Sequence, residues 1–437
     1  PHLPPSNPAV KFLLLFLLCL QSLTAKELRY SPAPADNPLK GLVPYASQWK
    51  KDRFPHSMEF GYLSMAKLMT GWDQFDWSEL ETKLEKSKAG GKQVIFRVYL
   101  EYPGKDVSIS DFLIKEGVKI TEWKDGNQQN KTPDYADPRL RKAMTQFITA
   151  LGKKYDGDPR IGFITAGILG MWGEWHNYPR TDLFASREVQ KEVMDAFDAS
   201  FNKTHILLRY PAGKDHYQYV DNRDAGFGYH DDSFAWATMG SGKKEEDWFF
   251  LPSLKSAGMT DKWKQFPIGG ETRPEIWKTI FTDKKIAQEE DFLKCVEATH
   301  VSWLMDSSVF LNDIPLSEER KARAIDAVQK MGYELFIKEA RLDGSTLVLQ
   351  IENRGVAPFY HDWPVELRYS APNIRTKPLF PGVKLSTILP GKPTEWRIEL
   401  GAKATQFQLR IANPMKSGVP LRFANEEQGD EWLQVTF

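Results

Sequence analysis

The stretch Ile161 to Asn177, IGFITAGILGMWGEWHN, decides how the rest of the chain is read. It opens as an uncharged apolar run, which reads as a strand buried on both faces. It closes in Met171-Trp172-Gly173-Glu174-Trp175-His176, a carboxylate fenced by two Trp and followed by His. A charge at the end of a buried strand is costly unless it is paired or does chemistry. Apolar walls raise a glutamate pKa and suit the group to proton donation, while flat indole faces suit sugar rings. The competing reading is structural: Glu174 pairs with a basic group such as Arg97 or Arg209, and the Trp residues are core. A second carboxylate on the same rim favours the chemical reading.

Outward from this strand, segments alternate in type. Leu39–Tyr45, Met58–Lys67, Gln93–Glu101, Thr204–Tyr210, Ala225–His230, Gln265–Glu271 and Thr299–Met305 read as further strands. Helical patterning covers Trp77–Ala89, Pro138–Tyr155, Ser186–Phe201, Lys243–Lys264, Glu289–Ala298 and Ser317–Met331. The polar stretch Tyr102–Asp137 is too long for an ordinary connection and reads as a functional loop bordering the cleft. Eight strands alternating with helices over about 300 residues is the count of a (β/α)8 barrel. From Tyr333 the texture changes to short alternating strands, Leu335–Leu342, Ser345–Glu352, Val365–Tyr369, Thr394–Leu400 and Phe407–Ala412, with turns at Asn353-Arg354-Gly355 and Pro390-Gly391. These read as a small antiparallel β-sandwich. The expected division is a barrel over 26–332 and a sandwich over 333–437; Trp363 and Tyr360 are expected in the sandwich core.

The 437 residues are too many for a single ordinary core. Lys+Arg 58 balances Asp+Glu 58, which argues against nucleic acid or an anionic membrane as the main partner. Phe12–Leu20 is apolar, preceded by Lys11 and followed by a small residue at Ala25, the pattern of a signal peptide over 1–25. No Met precedes Met58, so Val10 is the expected start of that signal, and the run is too short to span a bilayer. The expected location is secreted or periplasmic. Without the signal only Cys295 remains, so the fold depends on its core and not on disulfides.

In a (β/α)8 barrel the chemistry sits at the C-terminal ends of the strands. Glu174 ends the fourth strand and Glu271 the seventh, two carboxylates across one mouth. Arg97, Tyr99, Trp172, Trp175, His176, Arg209, Tyr229, His230 and Trp303 are the expected substrate contacts. Arg97 and Arg209 can keep one carboxylate ionised while the other stays protonated. That is the division of labour of glycoside hydrolysis, in which one carboxyl protonates the leaving oxygen and the other attacks or activates water. Glu101, Asp231 and Asp306 are the competing carboxylates, and Glu271 has a capping alternative. His176, His230, Asp231 and Asp232 lack tight metal-ligand spacing, so neither metal nor cofactor is expected. If either glutamate is buried in an ion pair or points away, a non-catalytic carbohydrate-binding protein is the expected alternative.

The barrel resembles the clan A glycoside hydrolases. NPLKGLVPY near the start, GILGMWGEWH, and NRGVAPFYHDWPVELRY resemble a bacterial family of secreted glycosidase-like barrels with a C-terminal β-sandwich. The resemblance implies a carbohydrate substrate, Glu174 as acid/base and Glu271 as nucleophile in a retaining reaction. One departure stands out: the clan has Asn before its acid/base Glu, and here Gly173 takes that place.

Overall fold

The structure, a computed structural model, describes residues 24–45, 53–105, 108–371, 373–379, 384–401 and 403–437. Nearly all of the expected signal peptide lies outside these residues. The chain forms a (β/α)8 barrel followed by a β-sandwich. The barrel strands are β1 (Gly41–Val43), β2 (Met58–Ser64), β3 (Gln93–Glu101), β4 (Ile161–Met171), β5 (Ile206–Leu208), β6 (Gly228–Phe234), β7 (Ile268–Thr272) and β8 (Trp303–Met305). They lie in the order β1-β8-β7-β6-β5-β4-β3-β2, all pairs parallel. The ring closes where Phe60 N donates to Pro44 O and Tyr45 bridges Phe60. Every residue of β4 is buried, as its uncharged sequence requires of a strand with helices outside and a filled lumen inside.

The helices follow their sequence signals. In α2 (Pro138–Tyr155), Asp137 caps the first turn by accepting from Arg139 N, Pro138 occupies the first position, and Leu140, Met144, Phe147 and Leu151 face the core. α3 (Arg187–Ser200) and α6 (Glu318–Lys330) are capped by Ser186 and Ser317; α1 (Ser78–Ala89) and α5 (Phe292–Thr299) complete the long ones. Lys243–Lys264 is not one helix. It breaks into two single 3-10 turns around α4 (Phe250–Ser256), which ends before Gly258 at φ 68°. The long stretch Tyr102–Asp137 holds a short helix, Asp111–Lys115, and a hairpin pairing Ile120–Asp125 with Gln128–Pro133. Gly126 at φ 56° makes its turn, so Asp125-Gly126 was the overlooked signal.

The sandwich has two antiparallel sheets. One contains β9 (Leu335–Asp343), β10 (Thr346–Asn353) and β13 (Thr394–Glu399), and takes its outer strand from Thr24–Glu27, paired with β9. The other has the order β12 (Asn373–Leu379), β11 (Val365–Ala371), β14 (Gln406–Ile411), β15 (Leu433–Thr436). Phe359–Trp363 runs from the sandwich across the N-terminal mouth of the barrel. There His361 packs against Phe163 and His205 at 5.8 and 5.0 Å between ring centroids, and His205 Nε2 meets Tyr360 O at 3.1 Å. Trp363 and Tyr360 are buried, as expected of core residues. Phe163 stacks on Trp303, which in turn touches His230, so one packed column joins the sandwich to the far mouth of the barrel.

Candidate active site

After β4 the chain folds back on itself. Met171 N donates to His176 O, Trp175 N to Leu169 O, Glu174 N to Met171 O, and Trp172 N to the Glu101 carbonyl of β3. Trp172 and Trp175 adopt φ 55° and 59°, conformations that side-chain-bearing residues rarely take. Backbone strain of this kind persists where surrounding structure enforces it, and it concentrates at functional sites. Gly173 is required for two reasons. Its φ is 72°, and a Cβ there would lie 2.9 Å from the Val98 carbonyl oxygen. No Asn fits without a shift, which accounts for the departure from the clan motif.

This turn aims Glu174 into a lattice of charge. Arg97 Nη1 donates to Glu174 Oε1 at 3.1 Å and Arg97 Nη2 to Asp232 Oδ1 at 2.8 Å. Arg209 Nη1 lies 2.5 Å from Glu174 Oε2, and Arg209 Nε lies 3.2 Å from Asp232 Oδ2. Each guanidinium therefore bridges the same two carboxylates. His230 Nδ1 adds a contact at 2.7 Å to Asp232, and His176 Nε2 one at 3.5 Å to Glu174. Burial alone would raise the Glu174 carboxyl, and Asp232 opposes its charge further; His176, Arg209 and Arg97 together bring it below the usual value. Asp232 is likewise held well below, against its burial, by Arg97, His230 and Arg209.

Glu271 follows Gly269 and Gly270 on β7. A Cβ on Gly269 would lie 2.3 Å from the Trp303 ring, so the glycine makes room for that indole beneath the carboxyl. Glu271 has no ion pair among the described residues. Burial, then Glu174 and Asp232, push its carboxyl well above the usual value. Carboxylate oxygens of Glu174, Asp232 and Glu271 lie within 4.8 Å of one another. This trio is also where a cation could be ligated, although two guanidinium groups already neutralise Glu174 and Asp232. The resemblance implies that Glu174 carries the proton. The carboxyls are shifted the other way: Glu174 is lowered, with both arginines reaching it, and Glu271 is raised by burial and then by Glu174 and Asp232.

The site also keeps fewer Trp than expected. Trp175 is 2% exposed and its indole donates to the carbonyls of Ala166 and Gly167, so it is core. Trp303 is buried in the column below. Trp172 remains half-buried near His176 at 6.3 Å. Tyrosines stand in for them: burial, then the neighbouring Glu271 carboxyl, raises Tyr45 and Tyr102, and Arg97 Nη1 lies 3.4 Å from the Tyr62 hydroxyl. Tyr99 packs in this group, 6.2 Å from Tyr62 and 5.1 Å from Tyr102.

Thus Arg97, Glu174, His176, Arg209, His230 and Glu271 converge, as expected of site residues. Tyr229 does not: its hydroxyl donates to Asn222 outside the barrel. Strand β6 continues to Phe234, so His230 and Asp232 face inward while Tyr229 and Asp231 face out. Asp232 was missed because the strand was ended at His230. Tyr62 shares its face with Phe60 and was open to the same count; for Tyr102 we find no sequence signal. Of the competing carboxylates, Asp231 accepts from Thr238 and Ser233, and Asp306 from Thr272 and Ser308. Glu101, pushed up to about 7 by burial, accepts from Thr132, Tyr135 and Asn177, and so ties the hairpin to the β4 turn.

No protein-family model matches the sequence, and no curated protein matches it. Among solved structures, the chain aligns with endo-glycoceramidase II from Rhodococcus sp. as a lactosyl-enzyme intermediate, at 10% identity, covering 75% of this chain and 86% of that one with a TM-score of 0.43. It also aligns with a family 39 glycoside hydrolase from Bacteroides cellulosilyticus WH2, at 10% identity over 84% and 81% of the two chains, TM-score 0.36. At this overlap no residue role transfers, and the barrel stands on its own strand order.

Proposed function

We propose that the protein is an exported glycoside hydrolase of the retaining type, with Glu174 and Glu271 as its carboxyl pair. The observation that carries this reading is their approach, with oxygens within 4.8 Å and pKa values displaced in opposite directions. Retaining enzymes hold the pair at about 5–5.5 Å, whereas inverting ones leave room for water at about 6.5–9.5 Å. The protonation favours Glu271 as the acid. It gives its proton to the glycosidic oxygen while the Glu174 carboxylate attacks the anomeric carbon, and the aglycone leaves as an alcohol. The Glu271 carboxylate then takes a proton from water, which hydrolyses the glycosyl ester and returns Glu174 to its ionised form. Arg97 and Arg209 keep Glu174 ionised, and Asp232 keeps both guanidinium groups in place.

Azide distinguishes the roles. Glu271→Ala should lose about 10²–10⁴-fold on oligosaccharides. With activated aryl glycosides it should keep turnover, and azide should yield a glycosyl azide of retained configuration. Glu174→Ala should lose both substrates and give the inverted azide. Swapped outcomes restore the roles implied by the clan, and wild-type turnover in both variants sinks the pair. One observation favours a second reading, a non-catalytic carbohydrate-binding protein: Glu174 is the target of two guanidinium groups at once. Oligosaccharide binding without hydrolysis of any aryl glycoside would establish it. Export is read from residues 1–25, and mass spectrometry of the exported protein should find its N-terminus at Lys26.

A further inference from the structure

The loops following β5 and β6 carry a run of rings that starts at the charged lattice and ends in solvent. The Arg209 guanidinium carbon lies 4.8 Å from the Tyr210 ring centroid. Tyr210 stacks on Tyr219 at 4.4 Å and 10°, Tyr219 meets His216 at 4.9 Å, and His216 stacks on Tyr217 at 4.9 Å and 19°. Tyr217 is 78% exposed. Gln190, near the start of α3, pins this loop by bonds to Gln218 O and Val220 N, which keeps it at the C-terminal mouth. From the next loop Trp248, 45% exposed, lines with Tyr210 a gap that opens onto Arg209, His230 and Asp232. The loops are neighbours, since Tyr210 from one and Trp248 from the other line the same gap.

Single exposed apolar residues are ordinary, but two exposed rings, one tied to a charged cleft through buried and half-buried rings and the other lining the gap beside it, point to a ligand. The polar groups among them, Lys214, Asp215, His216 and Asp247, narrow its chemistry. A sugar unit offers a C–H face to a ring and a rim of hydroxyls to the charged groups around it. An apolar protein surface would leave those charges unpaired.

We propose that Tyr217 and Trp248 form an outer sugar subsite, so that one unit of an oligosaccharide chain stacks there while another lies at Glu174 and Glu271. The substrate class is therefore an oligo- or polysaccharide and not a monosaccharide with a small aglycone. This rests on the reading of the charged cleft as a carbohydrate site.

The test uses Tyr217→Ala and Trp248→Ala, singly and combined, in the full chain. Two quantities are read: kcat/KM on a series from aryl monosaccharide glycosides to oligosaccharides, and oligosaccharide affinity of the Glu271→Gln background by calorimetry. Each ring removed should lower affinity and kcat/KM for the longer members roughly three- to tenfold, and leave the aryl monosaccharide within about twofold. Equal losses on short and long substrates, or none on the long ones, overturn the subsite. So does a wild type that binds no oligosaccharide. Ring-dependent binding in a protein that hydrolyses nothing upholds the subsite and overturns the glycosidase. Hydrolysis of aryl glycosides with ring-independent binding does the reverse.

Discussion

At the C-terminal mouth of the barrel Arg97 and Arg209 hold Glu174 and Asp232 as ions, whereas at the N-terminal mouth His205 and His361 are kept neutral among Phe163, Phe359 and the Tyr360 carbonyl. Both ends bury titratable groups, but by opposite means. The charged end is satisfied only while every partner is present, because each guanidinium serves two carboxylates. The neutral end asks for shape and for one hydrogen bond, from His205 to the Tyr360 carbonyl. A barrel can therefore concentrate reactive charge at one mouth and close the other with rings that any similar volume would replace.

Removing one member of the lattice should have the largest effect. Arg97→Met leaves Glu174 and Asp232 short of a partner and should cost about 3–5 kcal/mol in denaturant unfolding, the range for breaking a buried pair. A change under 1 kcal/mol would mean the lattice is wetter than its burial implies. Gly173→Ala comes next. The positive φ and the 2.9 Å approach to Val98 O should cost about 1–3 kcal/mol and displace Glu174, read as a lower melting temperature together with lost turnover.

The N-terminal mouth should give the smallest effect. Among the described residues His361 Nε2 has no hydrogen-bond partner, so His361→Phe should stay within about 1 kcal/mol of wild type at pH 7.5. Burial, and for His361 the neighbouring His205 as well, holds both histidines below their ordinary value. Below about pH 6.5 the unfolded chain binds protons that the folded chain refuses, so stability is lost as pH falls. His361→Phe should make that loss shallower in pH-dependent melting. Glu271 has the opposite sign: its raised pKa stabilises the fold at low pH, and that contribution is lost as pH rises through the folded value. A steep destabilisation by His361→Phe at neutral pH would erase the contrast between the two mouths.

The barrel was legible because apolar runs, clearest in β3 and β4, alternate with helices of which α2, α3, α5 and α6 carry side-chain caps. The charged centre was legible in part. Glu174, Glu271, Arg209 and His176 end or adjoin strands, so strand ends pointed to them, whereas Arg97 and His230 lie within β3 and β6. Asp232, Tyr229 and Asp231 depended on where β6 stops, and an error of a few residues exchanges the facing positions at its end. Trp175 and Trp303 were misjudged because a bulky ring next to a carboxylate reads the same in sequence whether it lines a cleft or fills a lumen. The two-arginine grip on Glu174 draws on β3 and β5, far apart in the chain, and no local pattern encodes it. The strand Thr24–Glu27 is four residues, TAKE, with no β signal of its own.

That strand has a consequence in time. Lys26 pairs with Ala340, and Phe359–Trp363 closes a barrel whose eighth strand ends at Met305. During synthesis the barrel strands are all made before the segment that stoppers their lower opening exists. The first described residues must meanwhile wait for a sheet partner more than 300 positions downstream. The nascent barrel therefore exposes Phe163 and Trp303 until the sandwich is made, and the strand that pairs with β9 joins the fold in the same late step.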